Sequence, residues 1–435
     1  MERLNNFSTV DSTVITKVAE TLGTPAYLYD EALLIQKCRE LKAMPNAFGL
    51  TVRYAMKANS NKSILKIISA QGLLFDASSL NEVRRAFFAG IAYSDIMLTT
   101  QEAPIKSDRV DLESMILKGL KYNVCSLHQL HLIGDFAAAN DIKLSMRVHP
   151  GVGSGESSTR NTGDNYSCFG VHLSDVHKAL EYAAEKGIMF DHVHVHIGSG
   201  GDPKAWRDNI DRELGFVETY FPSATSVSFG GGLKEARMPG ETAADVHSLG
   251  AYAKEKIEEF YQKTGRKLKM EIEPGTYIAA NAGYAITQVI DKKKTGENGL
   301  SFIIADGGME INTRPLLYAS RHPFYIVSEN GALLSSEFTL DKLDGNYEAV
   351  IVGKCCESGD AQSLDDDGLG VPRKIAEPEI HDYVVIGGAG AYCSSMSPMN
   401  YNSHTQIPEV LLTTQGELTL IRRRQTLEQI LENEV

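Results

Sequence analysis

From Arg53 to Ala282, short apolar runs alternate with longer stretches whose apolar residues recur at helical spacing. That rhythm predicts parallel strands joined by crossover helices. The runs are RYAMK from Arg53, LLFDAS from Leu73, IMLTT from Ile96, KYNVC from Lys121, LSMRVHP from Leu144, HVHVHIG from His192, SVSFGGG from Ser226 and KMEIEPG from Lys269. Eight strands in roughly 220 residues predict a (β/α)8 barrel, a fold that usually takes about 250. Beyond Ala282 the pattern changes to YAITQVI, SFIIAD, YEAVIVG, DYVVIGG and ELTLIRR, separated by Gly, Asn and Asp turns. These segments predict a second, β-structured domain. The expected division is therefore a barrel over 26–281 and a C-terminal β domain over 282–435, which residues 1–25 are free to join. AYLY at Ala26 reads as an extra strand of unassigned sheet, and the tail TLEQILENEV reads as a helix.

Composition narrows the class. The chain has 435 residues, enough for two domains and a deep, enclosed site. No run reaches the ~18 apolar residues that a membrane span requires. Glu2 and Arg3 interrupt the N-terminus where a secretory signal needs apolar residues, so export is not expected. Six cysteines over this length, with Cys355 and Cys356 adjacent, read as reduced thiols in a cytoplasm. A net charge of −13 argues against a nucleic-acid partner, and the one basic run, Arg422 to Arg424, reads as solvated surface.

Barrel enzymes carry their reactive groups at the C-terminal ends of the strands. Here those ends offer Lys57, Asp76, His196 with Ser199, the triplet Gly230, Gly231 and Gly232, and Glu273 with Gly275. A strand-end lysine is commonly a solvated charge, but in a site that lowers its pKa the neutral amine is a nucleophile. Three glycines after an apolar strand let backbone N–H groups close around a phosphate, where a tight turn alone rarely needs three. Glu273 sits before Pro274 and Gly275, a turn that fixes a carboxylate able to keep a ring nitrogen protonated; a salt bridge at the surface is the plainer alternative. His192, His194 and His196 share one strand face and offer the rival reading, a zinc site of a barrel hydrolase with Asp76 as a further ligand. That rival leaves the lysine and the glycine triplet unexplained.

Taken together, YAMKANS, FDASS, HVHIGSG, FGGG, EIEPG, KCCESGD and GAGAYCSSMSPMNYNS stand in the order of the fold type III pyridoxal 5′-phosphate (PLP) decarboxylases, and the resemblance covers almost the whole chain. The family includes enzymes acting on diaminopimelate, ornithine and arginine, and shares its architecture with alanine racemase. The resemblance implies a PLP barrel, a C-terminal β domain and a head-to-tail homodimer with shared sites. It implies that Lys57 holds the cofactor covalently, that His196 stacks on its ring, and that Asp76 lies close by. Ser199, Gly230, Gly231, Gly232 and Gly275 would bind the phosphate, and Glu273 would pair with the ring nitrogen. Cys356, from the other subunit, would protonate Cα, and Tyr392 would contact cofactor and substrate. Glu357 in the CE pair, and Arg314 with Tyr318 in an RPxLY segment, resemble the branch acting on diaminopimelate. There Glu357 would receive a distal ammonium and Arg314 a distal carboxylate, which a guanidinium grips with two parallel hydrogen bonds.

One residue departs from the pattern. The family usually reads EPGR, whereas this chain has Thr276, whose hydroxyl can bind phosphate but supplies no fixed charge. The expected activity is decarboxylation of meso-diaminopimelate to L-lysine, with another diamino or D-amino acid as the alternative substrate. Glu273 speaks against racemisation, for which the resemblance implies an arginine at that place.

Overall fold

The computed structural model describes residues 10–151, 153, 162–198, 201–338 and 345–435. They fall into two compact units. One comprises Ile35–Lys234 and Ala243–Tyr277; the other comprises residues up to Leu34, Glu235–Thr242 and Ile278–Val435.

The first unit is a closed parallel barrel. Its strands are Leu50–Ala55, Leu74–Ala77, Ile96–Thr99, Lys121–Val124, Leu144–His149, Phe190–His194, Ser226–Ser228 and Lys269–Ile272. Each pairs in parallel with the next, and Lys269–Ile272 returns to Leu50–Ala55 to close the ring. Every one of the eight apolar runs contributes one strand. A short extra strand, Val171–His172, extends from Leu144–His149. The crossover helices begin where the sequence supplies caps: Asn61, Ser79, Ser126, Asp202 and Asp245 each accept an N–H of the first helical turn.

The barrel interior is polar where many barrels are filled with aliphatic layers. Arg53 Nε donates to Glu271 Oε2 at 2.7 Å, and both side chains are buried. His192 Nδ1 lies 2.7 Å from Ser226 Oγ. Arg53 and His192 help hold Glu271 well below the ordinary carboxylate range, at about 2, against the opposing effect of its burial.

The second unit is built on a ten-stranded mixed sheet. Its main path runs Leu333–Ser336, Phe324–Val327, Tyr383–Ile386, Gly283–Lys294, Ala26–Asp30, Glu409–Leu412 and Leu418–Arg422, while Ser301–Ala305, Tyr347–Val352 and Arg373–Ile375 branch from Gly283–Lys294. The strand at Ala26 thus corrects the boundary drawn at residue 26. It pairs antiparallel with Gly283–Lys294 and parallel with Glu409–Leu412, so it belongs to this sheet and not to the barrel. Helix Ser12–Leu22 covers the sheet through Ile15 and Val18, which pack with Leu28, Ile286 and Val385. The tail forms the short helix Leu427–Leu431, started by a capping box between Thr426 and Gln429. Among the described residues no helix is long and apolar enough to cross a membrane.

Candidate active site

The barrel gathers one group of the expected residues at its strand ends. Strand Leu50–Ala55 stops before Lys57, which lies in the following 3-10 turn Met56–Ala58 with an exposed side chain. Ala55, the last residue of that strand, donates its N–H to Pro274 O at 3.1 Å, just past the end of the neighbouring strand Lys269–Ile272. Asp76 ends Leu74–Ala77 and is buried. Burial first, and the charge of Glu273 next, push its carboxyl above the usual range, with Lys57 pulling the other way.

Glu273 follows Lys269–Ile272, and its N–H donates to Gly230 O at 2.9 Å, which ties it to the glycine triplet. Its Oε1 accepts from Ser228 Oγ at 3.0 Å. Its Oε2 lies 2.9 Å from His194 Nε2. Burial raises its pKa, and the Ser228 hydroxyl and the Arg147 charge oppose the rise.

His196 accepts the Gly231 N–H on Nδ1 at 2.9 Å, which leaves its single ring proton on Nε2. Part of its surface is open to solvent, yet enough protein surrounds the ring to hold its pKa well below the usual value, with Arg147 and Lys57 adding to the effect.

The glycine triplet is a cradle that side chains would fill. A Cβ at Gly230, where φ is +68°, would come within 2.6 Å of Val195 O; at Gly231 it would meet Glu273 O at 2.9 Å; at Gly232, with φ +86°, it would meet Gly198 O at 2.8 Å. Gly230 N–H donates to Ser228 Oγ at 3.3 Å, and among the described residues Gly232 N–H has no partner. Gly275 and Thr276 follow Glu273 directly. Ser199 lies outside the described residues. An exposed amine, a backbone cradle for an anion and a buried carboxylate with a doubly addressed head fit a cofactor that carries an aldehyde, a phosphate and a ring nitrogen.

Three contributors were not singled out in the sequence. Arg147 is buried on Leu144–His149 with its guanidinium 4.9 Å from the Phe169 ring centre. Ser228 bridges Glu273 and Gly230, and Asn123 reaches His194 Nδ1 at 3.0 Å. The available signal was a charged or polar residue inside an apolar run, which on a barrel strand marks an inward position. The histidines His192, His194 and His196 do not converge as zinc ligands: their Nδ1 atoms face Ser226, Asn123 and Gly231 respectively.

The second unit holds the remaining expected residues. Cys355 is buried, its thiol 3.5 Å from Glu310 Oε2, and burial pushes its pKa up. Cys356 is exposed, and its N–H donates to Asn402 Oδ1 at 2.9 Å. Asp360 fixes this loop by accepting the N–H groups of Cys355 at 2.7 Å and Met309 at 2.5 Å. Glu357 accepts from the Tyr401 hydroxyl at 3.0 Å, which lowers its pKa and keeps it anionic. Arg314 opens the short helix Arg314–Tyr318; it is buried, donates to Ser320 Oγ at 3.2 Å and lies 5.8 Å from the Tyr392 ring centre. Tyr392 itself takes a left-handed φ of +61°, and the Tyr318 hydroxyl reaches Met396 Sδ at 3.9 Å.

A parallel barrel with these strand ends and a separate β-sheet unit in one chain define a class. Residues 34–280 match the model of the pyridoxal-dependent decarboxylase, pyridoxal binding domain, and the chain belongs to that family. Its relatives include the diaminopimelate decarboxylase of Escherichia coli (strain K12), 32% identical over 424 residues that cover 97% of this chain and 96% of the relative. That of Streptomyces coelicolor is 30% identical and covers 98% and 92% respectively. Among solved structures, a diaminopimelate decarboxylase superposes with a TM-score of 0.88 at 30% identity, covering 98% of both chains. The Helicobacter pylori enzyme complexed with L-lysine gives 0.78 at 26%, covering 96% of this chain and 98% of that one.

Proposed function

We propose that this chain is a PLP-dependent carboxy-lyase that converts meso-diaminopimelate to L-lysine and CO2. The observation that carries the reading is likeness to diaminopimelate decarboxylases over nearly the full length of both chains. The strand-end geometry supports it. Lys57 would hold the cofactor through its amine, and Gly230, Gly231, Gly232 and Gly275, with Ser199 and Thr276, would receive the phosphate. His196 would lie against the ring, Asp76 near it, and Glu273 would pair with its nitrogen. When bound, the cofactor supplies an electron sink for the pair left behind as CO2 departs.

The remaining work is the chain's own. Glu273, held by Ser228, would keep a proton at the ring nitrogen. Cys356 Sγ would deliver a proton to the substrate's Cα, and Tyr392 would contact cofactor and substrate. Arg314, flanked by Tyr318, would pair with the distal carboxylate, and anionic Glu357 with the distal ammonium. The protein would act in the cytoplasm as a head-to-tail homodimer in which each copy completes the other's site.

The test is CO2 release with added PLP from meso-diaminopimelate beside D- and L-lysine, ornithine and arginine. A competitor without the far carboxylate would forgo the proposed pairing with Arg314, at about 2 kcal/mol or more. That corresponds to roughly 30-fold in kcat/KM. A preference for any monocarboxylic competitor would refute the substrate and make Thr276 the first residue to replace.

The cradle has its own test. Gly231→Ala drives a Cβ against Glu273 O and within 3.1 Å of His196 Cε1. PLP affinity, read by absorbance titration, is expected to fall about tenfold or more because both cofactor contacts are displaced. Unchanged affinity would show that the triplet does not hold the phosphate.

A further inference from the structure

Strand Phe190–His194 ends on a histidine to which the proposed chemistry gives no role. His194 is 1% exposed, and its Nε2 stands 2.9 Å from Glu273 Oε2, a close charge–dipole contact whose geometry is not that of a hydrogen bond. On the other side of the ring, Asn123 Nδ2 stands 3.0 Å from Nδ1. Asn123 is fixed in turn: Ser145 Oγ donates to its Oδ1 at 2.8 Å, and its Nδ2 also reaches Thr99 Oγ1 at 3.2 Å. An amide nitrogen only donates, so Nδ1 carries no proton, and the one ring proton sits on Nε2, facing the carboxylate.

The reversed amide is disfavoured once Glu273 is ionised, the state that its pairing with the ring nitrogen requires. With Asn123 Oδ1 at the ring, Nδ1 would carry the proton. Nε2 would then present a bare lone pair to Glu273, or the ring would have to be a cation. Burial and the nearby Arg147 and Lys57 charges disfavour that cation.

We propose that His194 is a positioning residue for Glu273: Asn123 sets its tautomer, and the resulting Nε2–H holds Glu273 Oε2 in the orientation that the cofactor's ring nitrogen requires. The inference rests on the proposed pairing of Glu273 with that nitrogen. Ser228 addresses Oε1 and His194 addresses Oε2, so the carboxylate is steered from two neighbouring strands. Asn123, Ser145 and Thr99 extend the network to three more strands.

Two experiments decide it. Nitrogen NMR of the full-length protein labelled in its histidine rings should show His194 with Nδ1 bare and Nε2 protonated; a proton on Nδ1 overturns the proposal. PLP affinity and kinetics are then compared for His194→Leu, His194→Gln, Asn123→Asp and Glu273→Gln. His194→Leu should weaken PLP binding and lower kcat by about 10- to 100-fold each, as loss of an outer partner does elsewhere. KM should stay within about threefold, since the substrate does not touch His194. His194→Gln offers an amide N–H near the same place and should stay within about fivefold of the parent. Asn123→Asp offers only acceptors to Nδ1, draws the proton there and should reproduce the loss. If His194→Leu fails to fold by circular dichroism, Asn123→Asp and the NMR of the unaltered protein carry the decision. Parent-like affinity and kcat in both His194→Leu and Asn123→Asp, with loss in Glu273→Gln, would refute the role of His194 alone. No loss in Glu273→Gln would refute the pairing of Glu273 with the cofactor, and the inference with it.

Discussion

Lys57→Ala is expected to reduce turnover at least about a thousandfold, which is roughly 4 kcal/mol of lost transition-state stabilisation. The magnitude follows from the role: the amine is the group through which the cofactor would be held and then handed to substrate, and alanine offers no nucleophile in its place. Borohydride reduction of the parent protein with PLP should yield one phosphopyridoxyl-lysine peptide centred on Lys57, and the variant should yield none. Stability should hardly move, because Lys57 sits exposed in a turn, where substitutions usually stay within about 0.5 kcal/mol. Activity lost with stability kept distinguishes a reacting group from a structural one. A trapped peptide in the variant would mean that another lysine anchors the cofactor.

The barrel was legible because each strand carries its own signal. Runs such as IMLTT and KYNVC join apolar and β-branched residues and are bounded by turn residues, and closure of the ring needs only that eight such units follow one another. The second sheet was legible only in part. Strands at Phe324–Val327, Leu333–Ser336, Arg373–Ile375 and Glu409–Leu412 were not predicted, and Ala26–Asp30 had no assigned sheet. Its partners, Gly283–Lys294 and Glu409–Leu412, lie hundreds of residues away, and no local pattern encodes a pairing of that range. Glu235–Thr242 joins the second unit for the same reason.

The site divides along a similar line. The strand-end positions of Lys57, Asp76, His196 and Glu273 were readable, because each apolar run marks its own end. Thr99, Asn123, Ser145 and Arg147 were hidden inside apolar runs. Whether such a residue points inward depends on strand phase, and its partners lie on other strands: Asn123 meets Thr99, Ser145 and His194 only once the barrel closes. The alternating histidines show the same limit. Spacing placed them on one face, but only the closed barrel reveals that each ring turns to a separate partner.

Mixing two inactive variants is expected to restore activity. Lys57 belongs to the barrel unit and Cys356 to the second unit, and the proposed homodimer completes each site with Cys356 from the other copy. On that reading a Lys57→Ala dimer has two sites without the proposed anchor, and a Cys356→Ala dimer has two without the proposed proton donor. In a mixed dimer one site combines both defects, while the other combines Lys57 of one copy with Cys356 of its partner. Random exchange at equal concentration makes half of the dimers mixed, so about a quarter of all sites should be intact, with activity to match. The exposed Cys356 thiol and the exposed Lys57 side chain make both variants suitable for this test, since neither truncation opens a cavity in a core. Exchange is verified by native mass spectrometry on copies of different mass, and rates are compared before and after. Verified exchange with no gain in activity would show that each site is built from one copy.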